Sequence, residues 1–354
     1  MQSPRRRSFG TARPVPDAPA EAATRPPRPR RLVVAAWLCL AATCAAALLL
    51  PLLGDVWWAA TLLEFGPRWV TLVALAPVAL AALAWAPRAL VPLALAAVVT
   101  VGPIMGFRPG LRAPDGLDRT PGDVRLVTAN VEGLTGPALN AADWARGLGA
   151  DVLVMQECYL DPDELSAHLP GWHVHVADSL CFATRAKEVA LRHRDPREIW
   201  AQGVGGALGR YDVTLDSGPL RVVAVHLATP RSGLAAMVRL RFWQGIPELV
   251  ANTAIRRHES DVALGWTRGG AAPVVVAGDF NLTAESAIFR EVWGGFEDAF
   301  SVVGLGFGFT KHSRLLRARI DHVLYGPGLR ARRAWVGPEI GSDHHPLAAD
   351  LERL

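Results

Sequence analysis

Six apolar stretches in the C-terminal two-thirds of the chain end in, or enclose, a side chain able to bind a hard cation or move a proton. "VTANVEG" carries Asn130 and Glu132, "DVLVMQE" ends in Glu157, and "VVAVHL" contains His226. "VVVAGDFN" supplies Asp279 and Asn281, "ARIDHVLY" encloses Asp321, and "GSDHHP" holds Asp343 and His344. A carboxylate closing an apolar strand costs free energy to bury unless it is paired or faces a cation. One such residue reads as a satisfied turn or helix cap; six strand ends of the same chemical kind do not. The donors are oxygens and a few imidazoles with no thiolate cluster, which suits Mg²⁺ or Mn²⁺, with Ca²⁺ behind them, better than a structural zinc. A hard cation beside amides and imidazoles is equipped for attack at phosphorus, where charge builds on the non-bridging and leaving oxygens.

His344 and His345 are neighbours, and on an extended backbone neighbours point to opposite faces, so they are not a shared metal clamp. His173, His175, His193, His258, His312 and His322 read as structural or surface residues. The elements that must position the polar set are short strands: 124–131, 151–157, 172–177, 180–184, 209–215, 220–227, 273–280 and 319–326. Helices are expected at 137–149 and around 247–266, which makes residues 123–354 an α+β unit large enough for one substantial core. No glycine-rich phosphate loop of the P-loop type is present. Cys158 and Cys181 are the only cysteines of this unit; a disulfide between them is permitted, but the weight falls on free thiols. The segment 229–260 mixes Arg231, Arg239, Arg241, Arg256 and Arg257 with Met237, Phe242 and Trp243. It reads first as an amphipathic helical pair covering a sheet, and second as a rim that meets lipid headgroups and tails.

The N-terminal third is different in kind. Residues 1–31 are rich in Pro, Ala and Arg without apolar periodicity, and are expected to be a disordered basic tail. Residues 32–107 contain three uncharged runs, at about 32–54, 69–87 and 89–107, each near the roughly 20 residues that cross a bilayer as a helix. The basic tail places the N-terminus in the cytoplasm, and three crossings place everything after the 108–122 linker outside. The formal charge of +4 is modest and concentrated in the tail, so it is weak evidence for a nucleic-acid surface.

Taken in order, Asn130, "QE" at Gln156–Glu157, His226, "GDFN" at 278–281, "ID" at 320–321 and "SDHHP" at 342–346 resemble the signature of the endonuclease/exonuclease/phosphatase superfamily, the DNase I-like fold. The resemblance implies a four-layer α/β/β/α sandwich with the site where the sheets' loops meet. It also implies a divalent-metal-dependent phosphoesterase. By that resemblance Glu157 is the principal ligand of a Mg²⁺ or Mn²⁺ ion, with Asn130 and Asp343 on the metal side. Asp279 would orient or deprotonate the attacking water, and Asn281 would hold it or a phosphate oxygen. His344, partnered by Asp321, would contact the phosphate and transfer a proton, and His226 would be a second phosphate-facing imidazole. Glu132 stands where many relatives carry Asn or Asp. Between "QE" and "GDFN" no counterpart is found for the extra Tyr, Arg or Asn residues of several DNA-cutting relatives. The layout of spans plus domain is similar to that of the VanJ-type proteins of teicoplanin resistance. The expected partners are therefore the lipid bilayer and a lipid-linked phosphate or pyrophosphate, with nucleic acid less favoured. A membrane-tethered extracellular nuclease and an inactive binding or scaffold domain stand as the alternatives.

Overall fold

Largely apolar runs of five to nine residues, most of them buried on both faces, build the two sheets of the C-terminal unit. A computed structural model describes residues 29–110, 121–191, 206–313 and 317–354. Strands β1 (Arg108–Pro109), β2 (Val124–Asn130), β3 (Val152–Gln156), β4 (His173–Ala177) and β5 (Leu180–Thr184) come first. They are followed by β6 (Glu188–Leu191), β7 (Ala207–Leu215), β8 (Gly218–His226), β9 (Val274–Asp279) and β10 (Glu297–Asp298). The last are β11 (Leu305–Gly306), β12 (Lys311–His312), β13 (Arg317–Ala318), β14 (Asp321–Tyr325), β15 (Leu329–Val336) and β16 (Leu347–Arg353). One six-stranded sheet has the order β15-β16-β2-β3-β5-β4 and the other β10-β14-β9-β8-β7-β6. In each sheet a single pair is parallel, β2 with β3 and β8 with β9, and the other pairings are antiparallel.

Parallel neighbours need a crossover, and helices supply it. Helix α5 (Thr135–Gly147) joins β2 to β3; α7 (Arg231–Val238) and α8 (Phe242–Trp266) join β8 to β9. Helices α6 (Pro162–His168), α9 (Ala287–Trp293) and α10 (Ala299–Val303) complete the unit. Alternation along a strand then divides its side chains between layers. Val124 and Leu126 of β2 enter the core between the sheets, whereas Val127 and Ala129 pack under α5. Val222 and Ala224 of β8 likewise face the other sheet, while Val223 and Val225 meet Ala263, Trp266 and Trp293. The mixed sheets flanked by helices agree with the expected sandwich.

All eight expected strands form, within two residues at either end. β6, β15 and β16 were not anticipated. β15 hides because its outer face is basic: Arg330 and Arg332 pair with Glu352 of β16. Cys158 and Cys181 form a disulfide with a Cα–Cα distance of 5.6 Å, against the expectation of free thiols. Strand pairing explains it: β5 lies antiparallel to β3, and the N–H of Cys158 donates to Ser179 O at 3.0 Å, bringing the two cysteines side by side.

The N-terminal region forms helices α1 (Pro29–Leu53), α2 (Trp58–Phe65), α3 (Val70–Trp85) and α4 (Leu90–Val99), the last continued by a π-helical turn at Thr100–Ile104. Arg30–Leu53 and Pro87–Ile104 are each long and apolar enough to cross a membrane. The expected middle span, at about 69–87, forms as α3, which joins α2 at a bend of 83° and reaches crossing length only if the two count as one span. Gly66, Pro67 and Arg68 lie at the bend; proline lacks an amide to continue the helix, and Arg68 is held by Glu285 at 2.8 Å. Helices α1, α3 and α4 pack through Ala36, Ala82, Ala89 and Leu93 and expose Leu38, Leu48, Leu80, Leu83 and Val98 outward, an apolar surface that lipid would cover. Arg30 and Val33 meet Trp85 and Arg88 at one end of this bundle. At the other end Arg68 donates to Ile104 O at 2.8 Å. Of the expected tail, residues 29–31 are already helical and 1–28 lie outside the described residues. Of the linker, Arg108 and Pro109 pair with Leu305 and Gly306, and 111–120 lie outside the described residues.

The bundle is joined to the sandwich by buried charge. Arg256 of α8 is fully buried and meets Asp55, between α1 and α2, at 2.7 Å. Glu64 Oε1 accepts from Thr283 at 2.7 Å. Truncating one member of a buried pair strands the other, at a cost of about 3–5 kcal/mol. Arg256→Ala is therefore expected to lower sharply the thermal unfolding midpoint of the full chain in detergent. An Arg256→Met/Asp55→Leu double variant should lose less than either single change. A single variant with a wild-type midpoint would show that the clamp does not hold the halves together.

Candidate active site

The ends of the parallel strands carry the polar set. Asn130 lies opposite Gln156 at the ends of β2 and β3, and Glu157 follows immediately. On the second sheet His226, Asp279 and Asp321 form one row, with Asp279 paired to His226 on one side and to Asp321 on the other. Gly278 stands before Asp279 because a Cβ there would lie 1.8 Å from Val225 O, and its φ of 149° is open to glycine alone. The sheets face each other, so the two sets of strand ends converge.

Hydrogen bonds knit them. Asn130 Nδ2 donates to Glu157 Oε1 at 2.9 Å and to Asp279 Oδ2 at 3.0 Å, bridging the sheets. The N–H of Asn281 donates to Asp279 Oδ1 at 2.9 Å, and Asn281 Nδ2 to Leu227 O at 2.8 Å. His344 Nδ1 donates to Asp321 Oδ2 at 2.8 Å, the direction being set by the carboxylate, which can only accept. That leaves His344 Nε2 3.7 Å from Asp279 and 3.8 Å from Asp343. His226 Nε2 approaches Glu157 at 3.6 Å and Asp279 at 3.9 Å. Glu132, Glu157 and Asn281 all have left-handed backbone, with φ of 54°, 50° and 47°. Such a conformation costs a non-glycine residue about 1–2 kcal/mol, so the surrounding structure holds these three against it.

Electrostatics separate the two buried aspartates. Burial, with Asp321 beside it, raises the Asp279 carboxyl above its usual range. Burial pushes Asp321 the same way, but the charge and hydrogen bond of His344 outweigh it and hold Asp321 low. Burial alone would depress His344; Asp321 and then Asp279 raise it instead. The centre therefore favours an imidazolium on Asp321 beside a carboxyl that accepts protons readily.

Glu132, Glu157, Asp279, Asn281, Asp343 and His344 line one cleft of about 400 Å³. These donors fit a hard divalent cation. Several carboxylates share a confined space, and Asp343 Oδ1 is a buried oxygen that accepts no hydrogen bond. Asp279, Asp321 and His344 have ligand atoms within 4.8 Å of one another. We assign that trio to the hydrogen-bond network, because Asp321 is committed to His344 and Asp279 to the two asparagines. Glu157, partly exposed and facing the cleft, is the better placed ligand.

The structure brings together all eight residues singled out from the sequence: Asn130, Glu157, His226, Asp279, Asn281, Asp321, Asp343 and His344. Two of them have unexpected contacts. Asp343 pairs with Lys311 and, at 3.1 Å, with Arg231; Asn130 bonds to the neighbouring carboxylates through its amide. Lys311 was missed, although it is one of only two lysines in an arginine-rich chain. His345 stacks on His312 with ring centroids 4.2 Å apart, outside the cleft. His322 is fully buried and meets Leu282 O at 3.0 Å; His193 lies outside the described residues. The remaining cleft wall is apolar. Leu234, Ala235 and Val238 of α7 form one side, and Phe65 comes from helix α2 of the N-terminal bundle. Phe65 lies beneath Arg256, whose Nη1 donates to Asn281 O at 2.9 Å.

The sequence profile of the endonuclease/exonuclease/phosphatase family matches residues 127–344. No curated protein matches the chain. Among solved structures, the fold is similar to the endonuclease/exonuclease/phosphatase from Beutenbergia cavernae DSM 12333, at 17% identity over 67% of this chain and 72% of that one, TM-score 0.46. It is also similar to a humanized D. rerio TDP2 (17% identity, 65% and 99% of the two chains, TM-score 0.49). A third is the mannosyl-6-phosphatase Bt3783 of Bacteroides thetaiotaomicron VPI-5482 (15% identity, 64% and 99%, TM-score 0.44).

Two expectations follow from the geometry. Mn²⁺ titrated into the full chain and followed by water-proton relaxation should bind, and Glu157→Gln should weaken that binding more than Asp343→Asn does. Equal losses would remove the distinction drawn between them. Glu259, under the loop after His226, is raised by burial to about 7 from an ordinary 4.5, partly offset by the N–H groups of Ala228 and Gly206. Its folded pKa is the higher one, so folding takes up a proton in that window. Stability should fall as pH rises from about 4.5 to about 7. Thermal unfolding of Glu259→Gln across that range should lack this component; an unchanged slope would assign it to another group.

Proposed function

The chain belongs to the endonuclease/exonuclease/phosphatase family, and from its cleft we propose that it is a membrane-anchored, divalent-metal-dependent phosphoesterase acting on a lipid-linked phosphate or pyrophosphate outside the cytoplasm. The carrying observation is the composition of the cleft wall. Carboxylates and the His344 imidazole occupy one side, and apolar residues from α7 and from Phe65, at the end of helix α2, occupy the other. A phosphate joined to a hydrocarbon chain needs both surfaces. Tethering also raises the effective concentration of a substrate carried in the same bilayer.

The bound cation would supply charge stabilisation for the phosphoryl oxygens and a lowered pKa for water. Glu157, with Asn130 beside it, would hold it. Asp279, raised by burial and flanked by both histidines, accepts the proton of the attacking water. The imidazolium of His344, fixed by Asp321, binds the phosphoryl group and returns a proton to the leaving oxygen. His226 lies across from it, and Lys311 and Arg231 add positive charge at the rim. Asn281, buried in the cleft wall, positions water or a phosphoryl oxygen.

Orientation is part of the proposal. The N-terminal end of α1 and the sandwich lie at opposite ends of the bundle, and Arg30, Arg31 and Arg88 gather at the end away from the sandwich. Positive charge at that end supports a cytoplasmic N-terminus and a domain outside. The Cys158–Cys181 bond supports the same compartment. An envelope or glycopeptide-response role, in the manner of VanJ-type proteins, accords with this layout.

The full chain in detergent with Mg²⁺ should release phosphate from a polyprenyl pyrophosphate and leave supercoiled plasmid unnicked. His344→Ala and Asp279→Asn should each lower the rate by about 10²–10⁴-fold. Efficient nicking without lipid turnover would establish a nuclease instead. Rates unchanged in both variants would place the activity elsewhere. In intact cells the sandwich should be open to added protease; protection would overturn the orientation.

A further inference from the structure

We propose that the α7–α8 tip, Val238–Trp243, inserts into the outer leaflet of the bilayer and sets the mouth of the catalytic cleft against the lipid headgroups. Helical pairs that only cover a sheet bury their apolar residues, and the far half of α8 does so through Ala263 and Trp266. The tip does the reverse. Val238 is 74% exposed, Leu240 68%, Phe242 43% and Trp243 74%. Val250, on the same helix, is 57% exposed.

These side chains cannot be buried by a small shift of the helices. Gly233 of α7 and Gly245 of α8 let the pair close tightly: an added Cβ at Gly233 would lie 2.9 Å from Leu249, and one at Gly245 2.7 Å from Met237 Sδ. Leu240 takes a left-handed backbone at φ 58°, an uncommon conformation for a branched apolar residue that is retained while its side chain stays in solvent. The apolar tip is interleaved with Arg239 and Arg241, both exposed. Tryptophan, leucine and phenylalanine alternating with arginine is the composition of an interfacial insertion, with rings and aliphatic chains at the acyl boundary and guanidinium groups on phosphates.

Position agrees with composition. Val238 and Arg239 line the same cleft as Phe65, and the sandwich loops carrying Thr283, Glu285 and Arg317 meet Glu64, Arg68 and Gly66 at the end of the bundle. The tip therefore lies at the end of the sandwich that faces the bundle, on the rim of the cleft that Phe65 also lines. Between the tip and Phe65 a lipid phosphate can reach His344 while its chain stays in apolar surroundings. The inference rests on the reading of the bundle as membrane-spanning, and the test separates the two.

In a chain with Cys39→Ala and Cys44→Ala, the environment-sensitive fluorophore NBD is attached singly at Leu240→Cys, at Leu49→Cys in α1, or at Leu354→Cys. Leu354 follows β16, which runs away from the site end of β2. Each protein is reconstituted into vesicles of phosphatidylcholine and phosphatidylglycerol in equal parts. Emission at 240 and at 49 should shift to the blue, lose intensity to acyl-chain nitroxide lipids, and resist iodide; emission at 354 should do the opposite. A label at 240 that behaves like 354, with 49 quenched, would overturn the inference and leave the spanning bundle intact. A blue shift at 240 without nitroxide quenching would mean that protein, such as a second copy, covers the tip, and would overturn it too. An unquenched label at 49 would remove the membrane reading and this inference together.

Discussion

A guanidinium sealed from solvent joins the two halves of the molecule. Arg256 touches Asp55 at the turn leaving α1, Asn281 O beside Asp279, and the ring of Phe65. An arginine cannot shed its charge on burial, so its partners must be in place. Each partner belongs to a different part of the structure: the turn between α1 and α2, the loop after β9 and the cleft wall. Thr283 on Glu64 and Glu285 on Arg68 hold the same loop from two further points. The segment after β9 is thus clamped by the bundle along its length, and the apolar wall of the cleft comes with the clamp.

The polar centre uses burial differently. Two parallel pairs, one in each sheet, direct their strand ends at one another, and Asn130 bridges the gap. The floor, where Asp279, Asp321 and His344 lie, is almost wholly buried, whereas Glu157 at the mouth is partly exposed. Desolvation raises Asp279, whereas pairing lowers Asp321 and raises His344. Similar carboxylates a few ångströms apart thereby acquire different tasks.

Much of this was legible because strand ends advertise themselves. An apolar run that stops on Asn, Glu or Asp marks both an element and its exposed end, and the eight residues so marked do meet. Lys311 was hidden because it lies in a two-residue strand with no apolar run before it, and its value comes from Asp343 across a bridge to His344. The disulfide was misjudged because sequence spacing carries no information on which strands are neighbours. The 83° bend ahead of the middle run was not anticipated, because Arg68 at the bend takes its place from Glu285, more than two hundred residues away.

Local chemistry along the chain was enough to mark eight of the strands, the apolar helices, the polar set and the inequality of His344 and His345, since these depend on periodicity and on neighbours in sequence. Tertiary structure decided what needs distant partners. It turned Asp321 toward His344, brought Phe65 into the cleft, and drew Asp343 to a lysine and an arginine. It also exposed the α7–α8 tip that amphipathic patterning alone would have laid on a sheet. Contact energies between residues far apart in the chain set those outcomes, and no short window of sequence contains them.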